Sequence, residues 1–104
     1  MSGSFQFSSQ ALEDLDEIWS FIARDNQSAA DRVEIEIRAT CERLAKFPLM
    51  GTKREDITPS AIRFWTLSKF PKYVIVYRPE TVPLQVIAVL HSRRNLKDIL
   101  EKRL

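Results

Sequence analysis

Two neighbouring apolar segments near the C-terminus constrain the fold of this chain more than any other feature. Residues 72–78 and 84–90 are rich in β-branched and aromatic side chains, and a short segment from Pro79 to Pro83 separates them. This composition on either side of a tight turn predicts two antiparallel strands. Both segments carry apolar residues at successive positions, and side chains alternate between the two faces of a sheet. The predicted sheet therefore needs cover on both of its faces.

The N-terminal half predicts a short strand and a pair of helices. Residues 5–7 alternate in polarity, and Ser8 or Ser9 is a suitable N-cap for a helix that follows. The apolar face of this first helix is predicted to contain Leu12, Leu15, Trp19 (or Ile18) and Ile22. A capping-box-like segment at 28–31 predicts the start of the second helix, and Pro48 predicts its end. Its apolar positions are Ala30, Val33, Ile37, Cys41, Leu44 and Phe47. The short connection between the helices predicts an antiparallel hairpin.

The remaining segments complete an α+β arrangement. Residues 48–60 form a loop in which Gly51 is expected to adopt a positive φ, and residues 62–67 follow as a strand. Leu96, Ile99 and Leu100 give a narrow apolar stripe to a last helix. The predicted order is an N-terminal strand, an antiparallel helical hairpin, a small antiparallel β-sheet and a short C-terminal helix.

The burial requirement of the sheet leads to an expectation about partners. One helical hairpin can cover only one face of a small sheet. The other face must be covered either by the short terminal helix, residues 96–104, or by an apolar segment of another polypeptide. Of these two, we expect the partner to provide the cover.

Length and composition favour one domain that spans residues 1–104. Cys41 is the only cysteine, which excludes an internal disulfide and a cysteine-based metal cluster. No apolar run reaches membrane-spanning length, and residues 1–4 lack the basic and apolar parts of a signal peptide. A cytoplasmic protein is expected. With one histidine and only two glycines, the sequence predicts no metal site, no phosphate-binding glycine loop and no cofactor.

Charge is divided unevenly between the two halves of the chain. Residues 1–52 contain five basic and nine acidic side chains, a net charge of −4, whereas residues 53–104 contain eleven and five, a net charge of +6. Such a division is typical of a basic surface that binds an anion, a nucleic acid or an acidic protein. The alternative is that the acids only keep the outer faces of the helices soluble.

The capped hairpin, the Pro–Gly loop and two C-terminal segments together resemble a known family. Residues 73–78 read Tyr-Val-Ile-Val-Tyr-Arg and residues 89–95 read Val-Leu-His-Ser-Arg-Arg-Asn. In this order they resemble the ParE branch of the RelE/ParE toxins of bacterial type II toxin–antitoxin systems, formerly called plasmid stabilisation proteins. The resemblance extends from Phe5 to about Leu100. It departs from the family at 92–95, where relatives more often have a glycine and an aspartate.

The resemblance implies a toxin that is neutralised by a ParD-like antitoxin, a ribbon-helix-helix protein with a C-terminal tail. Contact with DNA would then be indirect, through the antitoxin. The ParE branch is associated with inhibition of DNA gyrase, whereas the RelE branch cleaves messenger RNA on the ribosome. Inhibition of gyrase by protein binding, without catalysis, is the favoured interpretation. A RelE-like endoribonuclease and a non-toxic partner that only modulates the antitoxin are the alternatives.

Candidate site residues follow from this interpretation. The predicted target-binding residues are His91, Arg93, Arg94 and Lys97. The predicted antitoxin-binding residues are Arg63, Phe64, Trp65, Lys69 and Lys72, beside the second sheet face. If the chain were a nuclease, the catalytic residues would be His91, Arg93, Arg94 and Arg78, because phosphodiester cleavage needs converging cations and a group that transfers protons near neutrality. Equally, His91 can be a hydrogen-bonded structural residue, and Arg94 can pair with Asp98 along the last helix.

Overall fold

A computed structural model describes residues 4–104, and the predicted order of elements is confirmed. Predictions that concern Met1–Gly3, including the absence of a leader there, fall outside the described residues. The elements are β1 (Phe5–Phe7), α1 (Ser9–Ala23), α2 (Gln27–Lys46), β2 (Arg63–Thr66), β3 (Tyr73–Arg78), β4 (Leu84–His91) and α3 (Leu96–Arg103). Among these helices, none is both long enough and apolar enough to span a lipid bilayer.

The four strands form one mixed sheet in the order β1-β4-β3-β2. Strands β2, β3 and β4 are antiparallel neighbours, as predicted. Strand β1 instead pairs in parallel with β4, from Phe5 opposite Leu84 to Phe7 opposite Val86. The predicted antiparallel sheet comprised β2, β3 and β4 and is confirmed, whereas the sequence indicated no direction for the pairing of β1. Two strands that are joined by a tight turn must be antiparallel. The helical hairpin and two other strands separate β1 from β4 in the sequence, so these two strands can pair in parallel.

The hairpin of α1 and α2 covers one face of the sheet, and its boundaries differ slightly from the prediction. Ser8 caps α1, because its Oγ accepts a hydrogen bond of 3.1 Å from the Ala11 amide. The cap of α2 is Asn26 rather than Ser28, since the Asn26 Oδ1 accepts a 3.0 Å bond from the Ala29 amide. The core between the hairpin and the sheet includes Leu15, Val33, Ile37, Cys41, Leu44, Ile75, Tyr77, Val86 and Val89.

Two residues predicted for the apolar faces of the hairpin are exposed instead. Leu12 is 49% exposed and Phe47 is 61% exposed. On α1 the buried positions are Ala11, Asp14 and Leu15. The buried face of the helix therefore includes the carboxylate of Asp14, which is not part of the predicted apolar face. Phe47 follows the last residue of α2, where the backbone leaves the helix and no longer directs its side chain to the sheet.

The second face of the sheet is covered by this chain itself, which contradicts the expectation that a partner provides this cover. Leu100 of α3 is fully buried there. Its neighbours are Ile62, Phe64, Val74, Val76, Ile87, Ala88 and Leu90, with Ile57, Leu96 and Ile99 packed against them. An eight-residue helix is only about 12 Å long. It suffices because the central residues of this face are valines and an alanine, and because the loop before β2 adds Ile57 and Ile62.

A buried ion pair fixes α3 over this face. Arg103 Nη1 and Nη2 donate to the two carboxylate oxygens of Asp14, at 2.7 and 2.8 Å. Their side chains are only 12% and 5% exposed. The same pair completes the edge of β4 beyond the short strand β1: the Val89 amide donates to Asp14 at 3.0 Å, and the Ile87 carbonyl accepts from Arg103 at 3.0 Å. One ion pair therefore joins α1, β4 and α3.

The loop after α2 is held by Tyr77 of β3. The Tyr77 hydroxyl donates to the Pro48 carbonyl at 2.7 Å and accepts from the Gly51 amide at 2.9 Å. Gly51 is needed for this close approach rather than for a positive φ, so the predicted reason was wrong. A Cβ at this position would lie 2.5 Å from the Tyr77 hydroxyl and 3.0 Å from the Phe64 carbonyl oxygen. Burial raises the pKa of the Tyr77 phenol above its usual value.

Candidate functional site

A groove of about 610 Å³ opens on the side of the sheet that α3 covers. It lies between the loop that follows α2, the outer edge of β2 and the first turn of α3. We call it the α3 groove. Its lining residues are Thr52, Arg54, Ile57, Phe64, Trp65, Thr66, Val74, Ser92, Arg94, Asn95, Leu96 and Lys97.

The connection from β4 to α3 fixes the cations on one wall of the groove. The Ser92 amide donates to the Lys72 carbonyl at 2.7 Å, and the Arg94 amide donates to the His91 carbonyl at 3.0 Å. Asn95 then caps α3, since its Oδ1 accepts a 3.1 Å bond from the Asp98 amide. These bonds set the backbone from which Arg94 and Lys97 extend.

The cations on this wall are not neutralised by the described residues. No carboxylate oxygen of residues 4–104 lies within 4.0 Å of the charged groups of Arg94 or Lys97. The suggested pairing of Arg94 with Asp98 is absent, and the Asp98 carboxylate instead lies 3.6 Å from Lys102 Nζ.

On the opposite wall, Arg54 is paired with Asp56 at 2.8 Å, and the bond from Arg54 lowers the pKa of the Asp56 carboxyl. The excess positive charge of the groove therefore comes from the α3 side.

The structure divides the predicted target-binding set between two faces. Arg94 and Lys97 line the α3 groove, whereas His91 and Arg93 do not. His91 lies opposite Tyr73 in the sheet and on the hairpin side, and the two rings meet edge to face with centroids 5.6 Å apart. The His91 Nδ1 accepts a 3.1 Å hydrogen bond from the Arg93 amide. This geometry fits the structural interpretation of His91.

The four residues named for a nuclease do not converge. Arg78 ends β3, and His91 lies opposite Tyr73 at the other end of that strand. Five residues of β-strand separate the two positions by about 16 Å. A general acid or base must lie within hydrogen-bond reach of the reacting group, and this arrangement does not bring Arg78 and His91 together at one point.

The residues predicted to bind the antitoxin are also spread over several environments. Phe64 is only 4% exposed and forms part of the groove floor. Arg63 donates to the Gly51 carbonyl at 2.7 Å, and Trp65 packs against the hairpin-side core. Lys69 Nζ lies 3.8 Å from the Glu36 carboxylate on α2, and Lys72 is exposed. The premise of one bare apolar face is wrong, and the antitoxin-binding role of these residues stays a prediction.

Sequence reasoning missed the pair of Asp14 and Arg103 and the contributions of Thr52, Arg54 and Thr66 to the groove. Asp14 left a detectable signal: it lies three residues after Ala11 and four before Ile18, on the buried side of α1. A carboxylate at such a position requires a cation or several donors. The groove residues left no comparable signal, because they come together only when the loop, β2 and α3 assemble.

The groove offers several groups that can bind a ligand. It presents an apolar floor, hydroxyl groups from Thr52, Thr66 and Ser92, and unneutralised cations. Within the described part of the chain, no three histidine, cysteine, aspartate or glutamate side chains are grouped as metal ligands. The groove is suited to a ligand that combines negative charge with apolar groups.

Comparisons with known proteins agree with the fold. A chromosomal ParDE toxin–antitoxin structure from P. aeruginosa superposes with a TM-score of 0.69 at 19% identity, covering 85% of this chain and 94% of the other. A protein of Sinorhizobium fredii named "Putative toxin Y4kP" is 30% identical over 91 residues, which are 88% of this chain and 90% of the relative. Residues 5–96 match the family described as the ParE toxin of the type II toxin–antitoxin system parDE. The chain therefore belongs to the ParE toxin family of type II toxin–antitoxin systems.

Proposed function

We propose that this chain, as one toxin domain over residues 1–104 in the bacterial cytoplasm, arrests growth by binding DNA gyrase. It neither makes nor breaks a covalent bond, and a ParD-like antitoxin neutralises it. The target contacts the basic junction of β4 and α3, which comprises His91, Arg93, Arg94 and Lys97. Membership in the ParE family supports the toxin assignment.

The separation of His91 from Arg78 is the observation that favours inhibition by binding over RNA cleavage. His91 contacts Tyr73 and the Arg93 amide, while Arg94 and Lys97 face the groove on the other side of the sheet. Phosphodiester cleavage needs proton transfer and charge stabilisation at one point. A cationic surface without that convergence suits electrostatic recognition of an acidic protein surface.

The direct test compares two assays on the purified chain. In a supercoiling assay, gyrase is expected to lose activity or to accumulate trapped gyrase–DNA cleavage complexes. In a translation assay, messenger RNA is expected to stay intact. Cleavage of the message at the ribosomal A site, with supercoiling unaffected, would replace this proposal with the RelE-like alternative. Expression of the chain alone without a growth defect would instead favour a non-toxic partner of the antitoxin.

A charge-reversal pair locates the target surface. The double variant Arg93→Glu/Arg94→Glu is expected to remain folded and to lose growth arrest. Arg32→Glu/Lys46→Glu is the matched control, because it changes the net charge equally at exposed positions of α2. Circular dichroism checks the fold of both variants. Equal toxicity of the two double variants would exclude the β4–α3 junction as the target surface.

A further inference from the structure

We propose that the α3 groove binds an extended, acidic segment of the antitoxin, which adds as a short strand to the outer edge of β2 at Thr66. Carboxylates of this segment contact Arg94 and Lys97 across the groove. This inference rests on the proposed function, since it concerns how the antitoxin binds, and it specifies a backbone contact that no side-chain motif in the sequence indicated.

On the outer edge of β2, the backbone groups of Phe64 are hydrogen-bonded, whereas those of Thr66 are not bonded to the backbone of any described residue. Phe64 is paired with Thr52, because its amide donates to the Thr52 carbonyl at 2.8 Å and its carbonyl accepts from the Thr52 amide at 2.9 Å. In an antiparallel ladder the backbone groups of alternate residues point to the same edge. Those of Thr66, two residues further, therefore point outward like those of Phe64. Within residues 4–104 they have no backbone partner, and Thr66 is exposed.

The open edge borders the groove rather than bulk solvent alone. Thr66 lines the groove beside the floor formed by Phe64 and Ile57. An extended segment paired with Thr66 would direct every second side chain into this space. Its neighbouring side chains would point to the other face of the sheet. The volume of about 610 Å³ is within the range of ligand pockets, which run from roughly 300 to 1,000 Å³.

The charges of the groove select an acidic segment. Arg94 and Lys97 lie on the wall that faces the β2 edge, and no carboxylate of the described residues neutralises them. A segment bonded to β2 could place a carboxylate against these cations and an apolar side chain over Leu96. Main-chain bonds then hold the segment, and the charges determine which segments are accepted.

A polypeptide fits this site better than a single-stranded nucleic acid does. Proteins that bind single strands combine cations with exposed aromatic rings on which the bases stack. The ring of Phe64 is buried at 4% exposure, and the Trp65 side chain packs against the hairpin-side core. The groove therefore offers cations and a strand edge, which suit a peptide backbone, without a stacking platform.

The location explains how binding would neutralise the toxin. Arg94 and Lys97 belong both to the groove and to the proposed target surface, whereas Arg93 belongs to the target surface only. An antitoxin segment in the groove would cover cations that the target needs. The two surfaces can therefore be separated by variants at Thr66 and at Arg93.

The test uses two substitutions at Thr66, with the antitoxin co-expressed from the same operon and then purified as the probe. Thr66→Pro removes the outward amide, while Thr66→Val keeps it. Proline is tolerated on an edge strand where the amide faces outward. Calorimetry is expected to give at least a tenfold larger dissociation constant for Thr66→Pro than for Thr66→Val. Gyrase inhibition by the free Thr66→Pro chain is expected to be unchanged.

Amide exchange and the Arg93 variant supply independent readouts. In the wild-type complex, the Thr66 amide is expected to exchange much more slowly than in the free chain. Arg93→Glu is expected to weaken gyrase inhibition and to leave the dissociation constant for the antitoxin within about twofold of the wild-type value.

The outcomes separate this inference from the proposed function. Equal antitoxin affinities of Thr66→Pro and Thr66→Val, or unprotected Thr66 in the complex, would overturn strand addition while leaving the toxin assignment intact. Displacement of the antitoxin by oligouridylate would show that the groove binds nucleic acid instead. A wild-type chain that neither binds the antitoxin nor affects gyrase would contradict the proposed function itself.

Discussion

The two faces of the sheet are covered in different ways. The hairpin face is packed under two helices of 15 and 20 residues, and its core contains long aliphatic side chains such as Leu15, Ile37 and Leu44. The α3 face is packed under a single helix of eight residues, whose only fully buried side chain is Leu100. A charged pair of Asp14 and Arg103 holds that helix in place.

The difference indicates how a small domain combines stability with a binding surface. Apolar area is the larger contribution on the hairpin face, since each buried aliphatic side chain contributes about 1.5–3 kcal/mol. On the α3 face the cover is short, and a directional ion pair positions it. The short cover leaves the α3 groove open beside β2. The two faces are therefore expected to respond differently to substitutions that remove an ion pair or an aliphatic side chain.

The largest effect is expected from Asp14→Ala. This change leaves the Arg103 guanidinium buried without its carboxylate and the Val89 amide without its acceptor. Breaking one side of a buried ion pair costs about 3–5 kcal/mol in the free energy of unfolding. Urea denaturation measures this loss in the free energy of unfolding. Glu34→Ala, which breaks the exposed pair with Arg38, is the control and is expected to cost less than about 1 kcal/mol. Similar losses for both variants would show that the ion pair does not stabilise the α3 face.

A second comparison uses one leucine from each face. Leu44 and Leu100 are both fully buried. Leu→Ala at such sites costs about 2–5 kcal/mol. For Leu100→Ala, hydrogen exchange is expected to accelerate mainly in α3, because one helix covers that face. For Leu44→Ala, exchange is expected to accelerate through the hairpin and the sheet. Uniform acceleration by Leu100→Ala would mean that α3 unfolds only with the whole domain.

Gly51→Ala tests the close packing of the loop that borders the groove. The new Cβ would lie 2.5 Å from the Tyr77 hydroxyl and 2.9 Å from Tyr77 Cε1, so the loop or the ring must move. Such overpacking costs about 1–3 kcal/mol. The clash involves the hydroxyl, and the variant Gly51→Ala/Tyr77→Phe is therefore expected to cost less than the sum of the single variants in a double-mutant cycle. Strict additivity would contradict this contact.

The smallest effect at neutral pH concerns Cys41 on the hairpin face. Burial raises the pKa of its thiol to about 12, so the thiol stays protonated and unreactive in the folded chain. The resulting stabilisation is fully present below the unfolded thiol pKa of about 8.5 and is lost as the pH rises toward the folded value. A disulfide-exchange reagent at pH 8 is expected to react only after denaturation. Cys41→Ala should reduce the loss of stability above about pH 9. Rapid reaction of the native thiol would contradict its burial.

The sequence predicted the parts of the fold that depend on local patterns. The helical spacing of the apolar residues predicted both helices of the hairpin, and the segments rich in β-branched residues predicted β3 and β4. Ser8 as the cap of α1 was among the predicted residues, while Asn26 was not. Asn26 and Ser28 are both residue types that favour the N-cap position. Only the path of the backbone between the two helices places Asn26, and not Ser28, at the start of α2.

The candidate site was less accessible to sequence reasoning. The segment 91–97 was correctly singled out as basic, but side-chain direction divides it, with His91 on the hairpin side and Arg94 and Lys97 in the groove. Thr52 and Thr66 had no distinctive pattern, since their role depends on which backbone groups the neighbouring strand leaves unpaired.

The sequence by itself determined the order of the elements, the apolar character of both sheet faces and the basic charge of the C-terminal half. These properties depend on side-chain chemistry and on spacing along the chain. Only the tertiary structure decided that α3 rather than a partner covers the second face, because Asp14 and Arg103 lie 89 residues apart and meet only in the folded chain. The tertiary structure also decided where α3 stops covering the sheet and the α3 groove begins, since that boundary depends on the length of α3 relative to the width of the sheet.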